Sequence, residues 1–464
     1  MASSVNEWVR SGATPALDNI DHMPTRGPVS RIALRGDLLD FSGDVPLADV
    51  APPALRWRPD HWLLIEGGAI AGVQAEDPDP DWERIDHRGH LVLPGFVDTH
   101  VHSAQVDVVG AWGTQLLDWL QTHTYPAEAR MADPRHAQRI SALFLDALLD
   151  HGTTSACVFP TVHAASVDAL FEQAQRRGMR IVAGKVLMDR HAPATLTDDP
   201  NDVAAAERAC IELIERWHGR GRLAYAVTPR FAPTSTDAQL AMAGRLLRHA
   251  PGLYLQTHLA ENTDEVRWVR ELFPAARSYL DVYARHGLLG ARSVFAHGIW
   301  LDDEDRCALR EAGAQIAFCP GSNLFLGSGL FDWAAAAQAG VAVSLASDVG
   351  GGTSLSMRRA MLDAYEVQAC AGQKVCAFAL LHAATRGAAA ALGLQAEIGS
   401  FDTGTQADVC VWRWASTALA ARRQEAARDL HDRLFAWLTL GDERDLVETR
   451  VSGRVAGPAR YAPS

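Results

Sequence analysis

From residue 91 onward the chain alternates short apolar runs with segments whose apolar residues recur at helical spacing. The first run begins at Leu91, and others follow at Gly152–Phe159, Arg180–Met188, Arg222–Phe231, Gly252–Glu261, Ser293–Trp300, Ala314–Asn323 and Val341–Asp348. Between them, Ser166 opens a helical pattern of Leu170, Phe171 and Ala174 that Gly178 closes. Thr236 precedes Leu240, Leu246 and Leu247, and Asn262 precedes Val266, Val269 and Phe273, with Glu265 completing a capping-box pattern. Eight such alternations predict an α/β fold, a (β/α)8 TIM-like barrel over residues 91–397, in preference to a doubly wound sheet. The flanks have a shorter, β-like rhythm: Arg31–Leu38 and Trp57–Val73 on one side, Asp408–Trp412 and Val447–Val455 on the other. Gly67-Gly68 and Ser452-Gly453 suit hairpin turns. They predict a small β-sandwich domain from residues 30–90 and 398–464, built from both ends of the chain. Residues 1–29 are polar, carry scattered Gly and Pro, and predict a loosely held extension.

In a parallel barrel the C-terminal strand ends converge on one mouth. The first strand delivers His100 and His102 there, two residues apart and therefore on one face. A surface strand carrying two histidines is the competing reading of that pair. The other strands weigh against it: the fifth ends in His258, the sixth in His297 and the eighth in Asp348. Four imidazoles and a carboxylate at one mouth form a metal site suited to zinc, with Fe2+ or another divalent ion fitting nearly as well. Such an ion lowers the pKa of a bound water to about 7, giving a hydroxide that attacks an electrophilic carbon bearing a leaving group. Glu261, three residues past His258, stands where a proton-transfer carboxylate belongs; its bland reading is an acid favoured at a helix N-terminus. The fourth strand ends Thr228-Pro229-Arg230, and neither lysine, Lys185 or Lys374, lies on it, so one ion rather than a lysine-bridged pair is expected. Gly350-Gly351-Gly352 is followed by no lysine–hydroxyl pair and is read as a turn, not a phosphate cradle.

Composition narrows the setting. The chain has 464 residues, 48% hydrophobic and 21% charged, with a formal net charge of −13. That balance argues against binding to nucleic acid or an anionic membrane. Seven cysteines without a CxxC pair, an N-terminus unlike a signal peptide and the lack of a spanning apolar segment predict a cytoplasmic protein.

The stretch PGFVDTHVHSAQ, the histidines of strands five and six and the Ser-Asp of strand eight resemble the amidohydrolase superfamily. More narrowly, LLDWLQTHTYPAE, GKVLMD, TPRFAPTS, FCPGSNLFLGSGLF, SDVGGGTSLSM and LFAWLTLGDER resemble its guanine deaminases, and the similarity runs from about residue 31 along nearly the whole chain. The resemblance implies hydrolysis of guanine to xanthine and ammonia. It implies that His100, His102, His258, His297 and Asp348 surround one Zn2+ (or Fe2+) and its water. It also implies that Gln105, Arg230 and Phe231 hold the purine, with His258 and Glu261 against it, that Glu261, Asp348 and His297 move protons, and that the protein is a homodimer. The chemistry of the residues agrees: arginine suits the O6 acceptor, glutamine both donates and accepts, and phenylalanine packs on a ring face. A salt-bridged arginine, a solvated glutamine and a core phenylalanine are the alternatives. The sequence departs from the family pattern at Gly298, Trp300 and Ala346-Ser347, positions expected to border the pocket. Other amino-heterocycles (a pterin, an aminotriazine, another purine) would use the same metal chemistry. A scaffold without catalysis would have lost ligands, and none is missing.

Overall fold

The structure is a computed structural model that describes residues 31–112 and 115–456; the extension expected over residues 1–29 lies outside them. Its strands are β1 (Arg31–Phe41), β2 (Leu55–Glu66), β3 (Ala69–Gln74), β4 (Glu83–Pro94), β5 (Phe96–His102), β6 (Thr153–Phe159), β7 (Arg180–Ala183), β8 (Val186–Leu187), β9 (Leu223–Pro229), β10 (Tyr254–Leu259), β11 (Ser293–His297), β12 (Gln315–Phe318), β13 (Ala342–Leu345), β14 (Val409–Trp412), β15 (Leu446–Val451) and β16 (Arg454–Ala456). β5 to β13 form the parallel barrel in sequence order, with β7 and β8 sharing the third position beside β9. Gly184 separates those two: a Cβ there would run into the backbone carbonyl of Ala226. β13 meets β5 without a ladder. Thr99 Oγ1 pairs with Ser344 Oγ at 2.9 Å, Asp348 N donates to His100 O at 2.9 Å, and His102 N donates to Val349 O at 2.8 Å. Closure therefore falls at the expected metal ligands.

The barrel interior is narrow and filled by small or medium side chains: Val97, Cys157, Val182, Ala226, Val294, Ala296, Ala317 and Ala346. The far end is plugged by Ala388, Ala389 and Leu392, and the Tyr254 hydroxyl donates to Leu392 O at 2.8 Å. Side chains thus fill the barrel up to one open mouth.

The chain ends form one seven-stranded sheet in the order β16-β15-β14-β4-β1-β2-β3. In place of the expected sandwich there is this single mixed sheet, whose β3 end is bridged at Ala69 to Gln406, just before β14. Ile32, Leu34, Leu63, Ile65 and Ile70 from one end share an apolar cluster with Phe401, Ala407, Val409 and Val411 from the other. Both hairpin turns form: Gly67 and Gly68 have φ of 60° and 86°, Ser452 and Gly453 of 47° and 74°. The run from Leu91 divides at Gly95. Leu91–Pro94 pair with β14, Phe96 begins the barrel, and a Cβ on Gly95 would collide with the Thr154 side chain. Both halves are buried, so the apolar pattern runs through the break unmarked.

The C-terminal segment also contains two helices, Ala418–Glu425 and Leu430–Leu440, the second packing Leu434, Trp437 and Leu438 on the main core. Arg358, in the helix Met357–Cys370, ties this region to the barrel. Its guanidinium lies 4.0 Å from the Trp437 ring centroid and 2.9 Å from Asp445, and the side chain is 1% exposed. Removing one partner of a buried ion pair strands the other charge. Arg358→Met is therefore expected to cost about 3 kcal/mol, read as a lower urea midpoint; an unchanged midpoint would show that the pair contributes nothing net.

Candidate active site

Strand alternation puts the His100 and His102 rings on the same side of β5, both buried. Phe159, ending β6, lies beneath them, its ring 4.9 Å from those of His100 and His258 and 5.0 Å from that of His102. His258 projects from β10, His297 ends β11, and Asp348 follows β13. Ala260, His297 and Asp348 all have positive φ, at 47°, 72° and 48°. Non-glycine residues hold this left-handed region only where the surrounding structure over-determines it, and here three do so at one mouth.

The donor atoms converge. Asp348 Oδ1 lies 3.2 Å from His100 Nε2 and 3.3 Å from His102 Nε2, while Oδ2 lies 3.7 Å from His297 Nε2. One ligand atom from each of His100, His258, His297 and Asp348 falls within 4.8 Å of the others. His102 Nε2 adjoins this set, 3.3 Å from His258 Nε2.

The outward nitrogens are already spoken for in two rings. His258 Nδ1 donates to Arg230 O at 2.7 Å, and His297 Nδ1 to Asn323 Oδ1 at 2.8 Å. Both acceptors are carbonyl oxygens, so each Nδ1 carries the proton and each Nε2 presents a lone pair to the centre. His100 Nε2 and His297 Nε2, which face the centre, have no hydrogen-bond partner among the described residues, nor has His102 Nδ1 on the other side of its ring. Buried imidazole lone pairs and a carboxylate converging on one point suit a divalent cation. The donor set fits a metal ion.

Burial favours the neutral imidazoles: His100 and His258 are held below the usual histidine range, and His102 falls to about 4. Burial pushes Asp348 up, but the facing histidines, His100 foremost, outweigh it and keep the carboxylate ionised. Glu261 behaves oppositely. Burial first, then the Asp348 charge, raises its carboxyl to about 8. Its Oε2 lies 3.4 Å from His297 Nε2, and its Oε1 accepts from Ser328 Oγ at 3.1 Å. The helix-start demand expected of Glu265 is met by Glu265 itself, whose Oε2 accepts from Glu261 N and Asn262 N at 2.9 and 3.1 Å. The Glu261 side chain is therefore released to face the cavity.

That cavity measures about 410 Å3 and is lined by His102, Gln105, Arg230, Phe231, His258, Glu261, His297 and Asp348, with Leu116, Trp119, Leu120, Leu326, Ser322 and Gly351 completing the wall. His100 sits below, in the metal cluster. The salt-bridged reading of Arg230 is also realised: Nη1 reaches both oxygens of the buried Glu128 at 2.8 Å. Gly298 does not border this cavity; it lines a smaller one with Ile299, Leu301 and Arg306. Ser347 lies behind the site, its hydroxyl donating to the buried Asp98 carboxylate. The residues that strand-end reasoning misses, Glu128, Ser322, Asn323 and Ser328, lie on short helices and loops inside the family-like stretches, where polar types read equally as caps and turns.

Comparison with known proteins agrees with this geometry. The Amidohydrolase family matches residues 91–455. A guanine deaminase of Escherichia coli (strain K12) is 44% identical over 428 residues, 91% of this chain and 97% of that protein. The solved E. coli guanine deaminase superposes with a TM-score of 0.87 at 44% identity, covering 92% of this chain and 99% of that one. Guanine deaminase from C. acetobutylicum, solved with guanine bound in the active site, gives 0.83 at 26% identity, covering 92% of this chain and 100% of that one.

Proposed function

The chain belongs to the amidohydrolase family, and from that premise we propose that it hydrolyses guanine to xanthine and ammonia. The observation that carries this reading is one cavity in which a metal-capable cluster and an arginine–glutamine edge face each other. Its apolar walls, Leu116, Trp119, Leu120, Phe231 and Leu326, suit a flat heterocycle, and the polar edge of Arg230 and Gln105 suits its O6 and the adjoining ring nitrogen.

His100, His102, His258, His297 and Asp348 would hold the ion. When bound, it supplies Lewis acidity that brings a water to reactivity near neutral pH. Asp348, beside His297, accepts the proton of the water attacking C2. Glu261, protonated at the outset, delivers a proton to N3 and recovers the remaining proton of the attacking oxygen. Asp348 passes on the proton it took to the exocyclic nitrogen, and that nitrogen leaves C2 as ammonia as the ring carbonyl forms. Phe231 and Trp119 exclude solvent from the base, and His258 borders both ion and substrate.

We read the ion as one zinc, with Fe2+ the alternative, on the strength of its imidazole-rich donors. A cytoplasmic location is supported by seven free cysteines; no helix among the described residues is long and apolar enough to cross a membrane. A homodimer rests on the family resemblance, and a place in purine catabolism on the reaction itself.

Ammonia release from guanine, adenine, cytosine and a melamine-like triazine tests the substrate. Guanine is expected to dominate; preference for the triazine or adenine would overturn the assignment while leaving the metal chemistry intact. The pH profile tests the acid. Below its raised pKa Glu261 is protonated and competent, and above it the proton is lost; a bound cation draws the value lower. kcat/KM is therefore expected to fall with rising pH at or below about 8. A profile flat through the alkaline range would remove Glu261 from the acid role.

A further inference from the structure

Glu128 stands behind the cavity, outside both the metal cluster and the wall. Its helix, Tyr125–Ala129, continues from a π-helical turn over Leu120–Thr124, a feature that changes which side chains face a site. The carboxylate is 1% exposed. It accepts from Arg230 Nη1 with both oxygens at 2.8 Å and from Gln105 Nε2 at 2.9 Å. Tyr125, three residues earlier on the same helix, places its ring centroid 5.5 Å from the same guanidinium. On the other side, Gln105 Oε1 accepts from Gly350 N at 3.1 Å.

Two consequences follow from these contacts. The Gln105 amide has one acceptable orientation, because the reverse would set its oxygen against a carboxylate and its NH2 against an N–H. The donor and acceptor it has left for a ligand are therefore fixed in place. The second consequence concerns charge. Arg230 is buried and its guanidinium is balanced by one carboxylate, so the edge it presents to a base donates hydrogen bonds with little net charge. An unbalanced guanidinium there would favour anions. The distinction matters for this reaction, since xanthine gains a second carbonyl beside N1–H and an additional N–H at N3 next to that carbonyl, and is a stronger acid than guanine.

The geometry points to Glu128 as a specificity-determining positioning residue: acting through Arg230 and Gln105, it makes the cavity select the neutral lactam base and release the more acidic imide product. This rests on the guanine reading above and adds to it how substrate is told from product.

The test is xanthine binding to the metal-loaded protein, measured by titration calorimetry at pH values on either side of xanthine ionisation, beside guanine kinetics. The unsubstituted protein is expected to bind xanthine no more tightly as pH rises. Glu128→Gln is expected to reverse that slope and bind xanthine at least about tenfold more tightly at the alkaline end, with a higher KM for guanine. Adding Arg230→Gln to Glu128→Gln removes the unbalanced charge and is expected to abolish the gain. A merely structural role would not produce this pH-dependent reversal. If Glu128→Gln does not fold, Glu128→Asp keeps the charge but shortens the reach. It is expected to keep the original xanthine slope while raising the guanine KM, and an unchanged KM would overturn the proposal. An unchanged xanthine affinity and slope in Glu128→Gln would overturn it equally. Loss of the guanine reading would look different: the unsubstituted protein would then release no ammonia from guanine.

Discussion

Glu261→Gln is expected to keep the metal and to lower guanine turnover by about 10³-fold or more. The substitution preserves size and the hydrogen bond from Ser328 Oγ, which an amide oxygen accepts as well as a carboxylate does. The surrounding loop does not depend on the Glu261 side chain, because Glu265 holds the backbone N–H groups of Glu261 and Asn262. An amide cannot carry a proton to N3 and return for another, so the loss should fall on kcat with little change in KM. Metal content by elemental analysis, measured on the protein used for kinetics, separates this outcome from simple loss of the ion. Retained turnover at full metal content would remove Glu261 from the mechanism.

Asp348→Asn is expected to fail differently. Among the described residues, Asp348 is the one carboxylate facing His100, His102 and His297 together, at 3.2, 3.3 and 3.7 Å. An amide there loses the negative charge and sets either a weak neutral oxygen or an NH2 toward the centre. The backbone, tied by Asp348 N to His100 O, should hold its path. Metal occupancy and turnover should fall together, turnover by about 10⁴-fold or more because ligand and base are lost at once. A variant that kept both would show that Asp348 is neither. The contrast between the two substitutions is more informative than either alone: one keeps the ion without the chemistry, the other loses both.

The barrel and its metal cluster were legible for one physical reason. Buried parallel strands read as apolar runs, and an imidazole or carboxylate ending such a run is conspicuous. His258, His297 and Asp348 stand out in this way. Three features did not. The break at Gly95 joins two buried strands, so neither hydrophobicity nor a turn signal marks it. The helix Leu430–Leu440 packs Leu434, Trp437 and Leu438 at helical spacing, but it lies within a segment otherwise read as β. Glu128 is hardest of all. Its meeting with Arg230, 102 residues away, depends on a π-helical turn and a barrel closed in three dimensions, and locally it looks like an ordinary helical glutamate. Arg230 satisfies both of its readings at once, because it is salt-bridged and also on the cavity wall.

The measurement closest to the central claim is turnover of guanine by the metal-loaded protein in 18O-labelled water, with the product analysed by mass spectrometry and ammonia counted in parallel. Hydrolysis through Asp348 and Glu261 is expected to give xanthine carrying one 18O at C2 and one ammonia for each guanine consumed. Unlabelled product, or guanine left unchanged while another amino-heterocycle is hydrolysed, would contradict it.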